Sequence, residues 1–292
     1  MDVAACTAAG VVVTSSAPEV EAPYVAEHSV GQALSLLREL RVHDAEVRAR
    51  GDEYVYTPPV RGKLSPGSVV GATIGLVGAG ALSAAIAKSL VALGAAQVQC
   101  LAMPGTTTSD VDLVAAAAAP LSLVKPTTLP ELLAVSDVVF LTCELTTRTR
   151  NLIDGAALAT LKPGAVIINA SSGSLIDEAA VGQALHEGTK LGGYACSGLA
   201  CDERRPGEGV PPQSHPDLVS SPRALLGTGA CATAVLGATQ RLELEAARSL
   251  AEALTGRKPS GARNDVQPRL PGAAPTSEVA KAGGLASYLW CF

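Results

Sequence analysis

Two glycines, Gly78 and Gly80, stand where a short apolar run gives way to a helical pattern of small residues. The run ends at Val77 and has β character, so the sequence predicts a strand, a tight glycine turn and the start of a helix. Such a turn presents backbone N–H groups and the positive end of a helix dipole to a phosphate. In the pattern G-x-G-x-x-G the third glycine allows close packing of helix on strand, and here that position is Ser83. The spacing favours a dinucleotide site, with a plain structural turn as the alternative.

A dinucleotide site also needs a partner for the adenosine ribose. An Asp or Glu usually stands about twenty residues past the glycines, at the end of the second strand. The second strand is predicted over 97–103, but it ends in Ala102 and Met103, and the first acid beyond it is Asp110. A charge-assisted hydrogen bond is worth about 1.5–3 kcal/mol. We therefore expect weaker affinity for the adenosine end unless another group compensates.

Strands alternating with helices are expected to hold these residues in place. The further predicted strands lie at 137–142, 165–169, 191–196 and 224–226, and the predicted helices at 23–50, 129–136, 151–161, 177–187 and 238–256. Residues 115–128 are expected to form a variable surface segment. Alternation of this kind implies right-handed crossovers and a parallel sheet covered on both faces. The expected fold class is α/β, a Rossmann-like doubly wound parallel sheet.

Composition excludes several classes of function. The chain has 292 residues, 48% of them hydrophobic, and a net charge of -5, which gives no basic surface for direct nucleic-acid binding. It contains no apolar run long enough for a membrane span and no signal peptide pattern. Seven scattered cysteines without a C-x-x-C pair indicate reduced thiols and no metal site. The expected location is cytoplasmic, nuclear or both.

A set of motifs in a fixed order resembles the D-isomer-specific 2-hydroxyacid dehydrogenases. These motifs are V-A-E-H at 25–28, G-L-V-G-A-G at 75–80, L-P-E-L-L-A-V-S-D-V-V at 129–139, L-T-T-R-T-R-N-L-I at 145–153, L-K-P-G-A-V-I-I-N at 161–169 and L-I-D-E-A-A-V-G-Q-A-L at 175–185. The resemblance covers roughly residues 1–260. Within that superfamily, residues 245–260 are most similar to the C-terminal-binding-protein branch of transcriptional corepressors and its plant ANGUSTIFOLIA relatives.

The resemblance implies NAD(H) as the cofactor and a set of residues that would hold it. These residues are Gly78, Gly80, Ala81, Leu82, Thr142, Cys143, Leu145, Ala170, Ser171, Ser172 and Ser197. The resemblance places the nicotinamide-side aspartate of the family near Ser197. Asp177 and Glu178 begin a helix after a turn, and compensation of the helix dipole explains them without chemistry.

The catalytic positions of the family are not matched. Ser172 stands where an arginine would clamp the substrate carboxylate, and Ala230 stands where the general acid/base histidine would be. Glu203 corresponds to the acid that would orient that histidine, and His215 matches a loop histidine of the family. We therefore expect no catalytic residue and a catalytically degenerate, corepressor-like or ANGUSTIFOLIA-like scaffold. The alternatives are an active NAD-dependent oxidoreductase acting on the CH–OH group of a 2-hydroxy acid, and a fragment without a role of its own.

The expected domain boundaries follow from the same resemblance. Residues 1–22 would be a remnant of a preceding domain, 23–236 the nucleotide-binding domain, 237–258 a C-terminal helix and 259–292 a disordered tail. Most of the substrate-binding domain would then be missing. The apolar stripe of the helix at 25–45 would form a homodimer contact, pack on its own sheet, or both, and His28 within it is expected to be structural. Protein partners are expected, but the sequence does not identify them.

Overall fold

The computed structural model describes residues 3–51, 67–199, 214–227 and 231–267. The chain divides into two compact units. The larger unit spans residues 22–233, and the smaller one combines residues 1–21 with 234–292. None of the helices in the described part of the chain is long and apolar enough to cross a membrane.

The larger unit is built on one seven-stranded parallel sheet. Its strands are β1 (Thr73–Val77), β2 (Gln97–Leu101), β3 (Leu123–Val124), β4 (Val138–Leu141), β5 (Ala165–Asn169), β6 (Leu191–Cys196) and β7 (Ala224–Leu226), in the order β3-β2-β1-β4-β5-β6-β7. The helices are α2 (Pro18–Leu37), which begins in the smaller unit, α3 (Leu40–Arg50), α4 (Ala81–Ala92), α5 (Thr108–Ala118), α6 (Leu129–Val135), α7 (Gly155–Ala159), α8 (Glu178–Glu187) and α9 (Pro216–Ser220). The order of strands reverses between β1 and β4, and ligands of open α/β sheets bind at that switch point. The predicted fold class is confirmed.

Two apolar clusters hold the sheet between its helices. One cluster joins Ile74, Leu76 and Phe140 of the sheet to α2 and α4, and the other joins Val139 and Ile167 to α6, α7 and α8. Because successive side chains of a strand point to opposite faces, each central strand feeds both clusters. The central strands are therefore buried on both sides, as parallel strands usually are.

The single helix predicted over 23–50 is wrong, because the structure has two helices there. The break falls at Glu39, whose backbone is left-handed with φ 48° and ψ 34°. The side chains of Ala33 and Leu37 are buried on the sheet, whereas α3 contains no buried residue. The buried stripe of α2 ends at Leu37, so burial on the sheet does not hold the next residues on the same axis. This stripe packs on the chain's own core, and a homodimer contact stays a prediction.

The segment 115–128, predicted to be variable surface, contains the end of α5 and the edge strand β3. A capping box starts α5: the Thr107 hydroxyl accepts from the Asp110 N–H, and the Asp110 carboxylate accepts from the Thr107 N–H. Val114 and Ala118 are then buried against the sheet. The alanine-rich composition hid a helix whose few larger residues are enough to anchor it.

Two other predicted boundaries need correction. The helix predicted over 151–161 is shorter in the structure, where α7 covers Gly155–Ala159 alone. Asp154 is its N-cap and accepts a hydrogen bond from Ala157 N–H, and the Asn151 backbone before it is left-handed with φ 52°. In the smaller unit, residues 259–267 are not a tail. Ser15 N–H donates to the Gly261 carbonyl at 3.1 Å, and Arg263 N–H donates to the Val13 carbonyl at 2.8 Å. The rest of the predicted tail, 268–292, lies outside the described residues.

The smaller unit also contains α1 (Val3–Ala8) and α10 (Leu236–Leu254). Asn264 ties the N-terminal strand-like segment to the C-terminal one, since its side chain accepts from Val13 N–H at 3.0 Å and donates to the Val11 carbonyl at 2.8 Å. The two ends of the chain thus form one unit. The helix predicted over 238–256 is confirmed as α10, shifted by two residues toward the N-terminus.

Candidate functional site

The glycine turn joins β1 to α4 as the sequence predicts. Gly78 has φ 112°, and a Cβ built there would lie 2.8 Å from the Cys143 backbone nitrogen, so only glycine fits beneath the end of β4. Gly80 has φ 145°, and a Cβ there would meet no atom within 4 Å. Gly80 also provides no side-chain cap for α4. The first N–H groups of a helix have no partner within it, so this end of α4 is an open, positively polarised cradle.

Ser83 occupies the position of the third glycine and links the turn to β4. Its side chain is 1% exposed, and its hydroxyl donates to the Gly78 carbonyl at 2.8 Å. The Ser83 and Thr142 hydroxyls also lie 2.8 Å apart, and Thr142 Oγ1 donates to the Val77 carbonyl at 3.0 Å. The serine therefore compensates for the lost glycine by fixing the turn with hydrogen bonds.

Replacing Ser83 by alanine is expected to lower the free energy of unfolding by about 1–3 kcal/mol, since the buried Gly78 carbonyl and Thr142 hydroxyl each lose a partner. The matched control is Ser89→Ala, because the Ser89 hydroxyl also bonds within α4, at 3.0 Å to the Ala85 carbonyl, but is only half-buried. Urea unfolding of both variants measures the difference. Equal destabilisation by the two changes would contradict the role given to Ser83.

The ends of β4 and β5 are tied to each other beside this cradle. The Ser171 hydroxyl donates to the Cys143 carbonyl at 2.8 Å, and the Ser171 N–H donates to Asn169 Oδ1 at 3.1 Å. Asn169 is fully buried, and its amide also donates to the Ser172 carbonyl at 2.8 Å. Asn169 therefore fixes the backbone that carries Ser171 and Ser172, a role that the sequence pattern did not reveal.

At the end of β6, the Ser197 hydroxyl is buried and has no hydrogen-bond partner among the described residues. Its N–H donates to the Asn169 carbonyl at 3.1 Å, so the residue is fixed next to β5. Leaving a buried hydroxyl without a partner is costly in a folded protein. This oxygen is therefore a buried, unsatisfied polar atom at the position predicted for the nicotinamide side.

The adenosine side of the crevice has no carboxylate in the described loop after β2. Ala102 is exposed, and Met103 N–H donates to Thr106 Oγ1 at 3.2 Å. Asp110 is engaged in capping α5, where hydrogen bonds from Thr107 lower the pKa of its carboxyl group. Asp110 thus stabilises the start of α5, as its position well beyond the end of β2 suggests.

The predicted cofactor residues follow the ends of four neighbouring strands. Gly78, Gly80, Ala81 and Leu82 follow β1; Thr142, Cys143 and Leu145 follow β4; Ala170, Ser171 and Ser172 follow β5; and Ser197 follows β6. Carboxyl ends of parallel strands meet at the same edge of a sheet, so the sequence-predicted set is brought together. Asp177 caps α8 by accepting from Ala179 and Ala180 N–H, which confirms its structural explanation.

Other sequence candidates lie elsewhere or outside the description. Glu203 and Ala230 are outside the described residues. His215 precedes α9, and its N–H donates to Glu178 Oε2 at 3.2 Å. The described ranges contain no cluster of three His, Cys, Asp or Glu side chains that could hold a metal ion. Burial raises the pKa of the Cys143 thiol to about 11, so this thiol is inert at the crevice wall.

One further pair at this edge was not predicted as functional. The His28 imidazole on α2 lies with Nε2 3.5 Å from Cys231 Sγ, and Cys231 Sγ donates to the Ser197 carbonyl at 3.4 Å. His28 was expected to be a structural side chain. The only signal in the sequence is its place in the motif V-A-E-H, and the 203 residues that separate the pair carry no pattern that joins them.

A doubly wound parallel sheet with a glycine cradle at its switch point defines a dinucleotide-binding domain. Comparison with known proteins points to one family. The model of the family "D-isomer specific 2-hydroxyacid dehydrogenase, NAD binding domain" matches residues 30–227. The chain belongs to this family, and the resemblance seen in the sequence is confirmed at that level.

Individual relatives are enzymes of this kind. The chain is 31% identical over 259 residues to a glyoxylate reductase of Thermofilum pendens, covering 89% of the chain and 70% of the relative. It is 34% identical over 188 residues to D-3-phosphoglycerate dehydrogenase of Mycobacterium tuberculosis, covering 64% of the chain and 32% of the relative. The crystal structure of a glyoxylate reductase from Paecilomyes thermophila matches with a TM-score of 0.73 at 25% identity, covering 91% of the chain and 72% of that structure. The chain thus spans about a third of the length of the phosphoglycerate dehydrogenases that it matches.

The residues present fit NAD(H). A Cβ at Gly80 would fill the space that a pyrophosphate needs, and that space is open. The Ser197 hydroxyl, which is buried and without a partner among the described residues, lies at the other end of the crevice. The turn and the first residues of α4 would hold the pyrophosphate, and the ends of β4, β5 and β6 would line the nicotinamide half.

Proposed function

We propose that this chain binds NAD(H) and serves as the dinucleotide-binding part of an oxidoreductase for 2-hydroxy acids. The observation that carries the proposal is the open cradle of Gly80 at the N-terminus of α4, directly at the switch point of the sheet. When bound, NADH supplies a hydride for the reduction of a keto group. The relatives named above, which act on glyoxylate and 3-phosphoglycerate, support the substrate class.

The chain's own residues limit the rate of this reaction. A serine hydroxyl at Ser172 cannot offer a carboxylate the cationic, bidentate fork that an arginine supplies. The sequence also has alanine at the histidine position of the family, Ala230, and loss of a general acid/base costs about 10²–10⁴ in rate. We expect slow reduction of 2-oxo acids, with nucleotide binding retained.

A second candidate is a scaffold of the corepressor or ANGUSTIFOLIA kind that uses the nucleotide only as a regulator. The specific observation in its favour is Ser172 at the clamp position, fixed next to the crevice by Asn169. The relatives reported above are dehydrogenases and favour the first candidate.

Following NADH absorbance with glyoxylate, hydroxypyruvate or pyruvate distinguishes the two candidates. The oxidoreductase proposal predicts a slow, saturable loss of NADH that disappears in a Gly80→Ala variant, which serves as the blank. An equal rate of NADH loss in the wild type and in the Gly80→Ala blank, with NADH binding intact in the wild type, would overturn the oxidoreductase proposal. The scaffold would then be the remaining candidate.

The loop after β2 predicts poor discrimination between NADH and NADPH. Because Ala102 and Met103 stand at the usual acid position, the described loop has no carboxylate that would repel a 2′-phosphate or accept from both ribose hydroxyls. The Lys125 ammonium is near enough to Cys100 in β2 that its charge lowers the pKa of that thiol, against the larger effect of burial. It therefore adds positive charge near this end of the sheet. We expect NADPH to bind at least as tightly as NADH.

Introducing the missing acid is expected to reverse this preference. Ala102→Asp should tighten NADH binding by about tenfold, the worth of one charge-assisted hydrogen bond, and weaken NADPH by a similar factor. Fluorescence titration of each nucleotide measures the four dissociation constants, and Ala102→Asn is the uncharged control. A wild-type preference for NADH, unchanged in Ala102→Asp, would contradict this account of the adenosine side.

A further inference from the structure

The thiol of Cys231 and the imidazole of His28 meet at the carboxyl end of β6. Cys231 Sγ lies 3.5 Å from His28 Nε2 and 3.4 Å from the carbonyl oxygen of Ser197. Helix α2, which carries His28, is itself fixed to β6, because Gln32 Nε2 donates to the Cys196 carbonyl at 2.8 Å in a buried bond. Helix α2 and the end of β6 therefore hold this pair next to the Ser197 carbonyl.

This pair has the composition of an activated thiol. A thiolate is the nucleophilic form of cysteine, and an imidazole within hydrogen-bond distance can take the thiol proton. Burial lowers the pKa of His28, so its ring is mainly neutral at neutral pH and can accept that proton. Both residues are half-buried rather than enclosed in the core.

The other described thiols are in different surroundings. Cys100, Cys143 and Cys196 are buried, and burial raises the pKa of each to about 11. Cys6 lies on α1 and is half-buried. Of the hydrogen bonds recorded between the described residues, the one at Cys231 alone joins a cysteine to a histidine.

We propose that Cys231 is a covalent modification site of this chain, with His28 as its proton acceptor, and that it takes small, uncharged, soft electrophiles such as alkyl halides and enones. With iodoacetamide, Sγ attacks the methylene carbon, the C–S bond forms as the C–I bond breaks, and iodide leaves. The S–H turns from the Ser197 carbonyl to His28 Nε2, which takes the thiol proton and passes it to solvent. No oxidant or metal is required.

Modification is also expected to interfere with nucleotide binding, a consequence that rests on the proposed function. Cys231 Sγ contacts the Ser197 backbone carbonyl, and Ser197 lies at the position predicted for the nicotinamide side. A carbamidomethyl group on Cys231 would crowd that end of the crevice. Saturating NADH should in turn slow the alkylation of Cys231.

The test is timed alkylation of the full chain with iodoacetamide at pH 7, followed by peptide mass spectrometry. Cys231 should react about tenfold faster than Cys6, Cys100, Cys143 or Cys196 in the same molecule. This comparison needs no variant. Reaction of Cys231 no faster than that of the half-buried Cys6 would overturn the proposal.

A variant separates the imidazole from simple exposure. His28→Asn should slow alkylation of Cys231 by at least about fivefold, because the proton acceptor is gone, while His43→Asn on the exposed side of α3 should leave it unchanged. An unchanged Cys231 rate in folded His28→Asn would overturn the role of His28. Protection by NADH is scored separately. Fast, His28-dependent alkylation without protection would uphold the modification site and count only against its link to the nucleotide.

Discussion

Gly80→Ala is expected to weaken NADH binding by about 10² or more, because the new Cβ enters the space through which the pyrophosphate reaches the N-terminus of α4 and displaces at least two charge-assisted hydrogen bonds. The protein itself leaves that space open, since no atom lies within 4 Å of the Cβ position. The fold should therefore tolerate the methyl group, apart from backbone strain at φ 145° of about 1–3 kcal/mol. Fluorescence titration with NADH measures the loss.

Gly71→Ala is the matched control for this variant. Gly71 also has a positive φ, 79°, and open space at its Cβ position, but it precedes β1 at the opposite edge of the sheet. The Gly71→Ala change should introduce backbone strain similar to that of Gly80→Ala and leave the NADH affinity unchanged. The melting temperatures of the two variants should be comparable. If both changes weakened NADH equally, the effect would be one of general stability and the cradle would not be the binding site.

Ser172→Arg is expected to tighten binding of oxamate, an isosteric analogue of 2-oxo acids, to the NADH-loaded chain by about tenfold or more. The gain is that of a charged, bidentate contact to the carboxylate. Ser172 tolerates a longer side chain, because it is half-buried and has an ordinary backbone with φ -79° and ψ 137°. Calorimetric titration with oxamate measures the change without depending on catalysis.

Ser172→Lys is the control, since it adds the charge without the planar fork and should recover only part of the gain. Asn169, which donates to the Ser172 carbonyl, should hold the backbone in place in both variants. Oxamate affinity in Ser172→Arg that is no better than in the wild type would contradict the placement of the carboxylate at the end of β5.

Local patterns were sufficient for the elements that carry the site. The predicted bounds of β5, β6 and β7 agree with the structure. For β5 the reason is local, because it is a short apolar run bounded by turn residues. The turn at Gly78 and Gly80 follows from strand, glycine and helix signals that are adjacent in sequence. The close approach of Cys143 to Gly78 explains physically why the first glycine is needed.

Long-range contacts decide what the sequence could not reveal. The hydroxyl of Ser83 meets that of Thr142 across 59 residues, and only this contact shows how a serine replaces the third glycine. The break at Glu39 depends on where α2 stops packing on the sheet. The helical pattern of the sequence continues through this point and does not indicate a break. The pairing of His28 with Cys231 depends on the path of α2 across β6.

Calorimetric titration of the full chain with NADH tests the central claim, that the cradle at the switch point holds a nicotinamide dinucleotide. We expect one nucleotide per chain, with a dissociation constant of about 1 μM to 1 mM, the range that enzyme KM values span, and no comparable heat from the Gly80→Ala variant. Absence of saturable heat from the wild type over that range, or an identical isotherm from the variant, would contradict it.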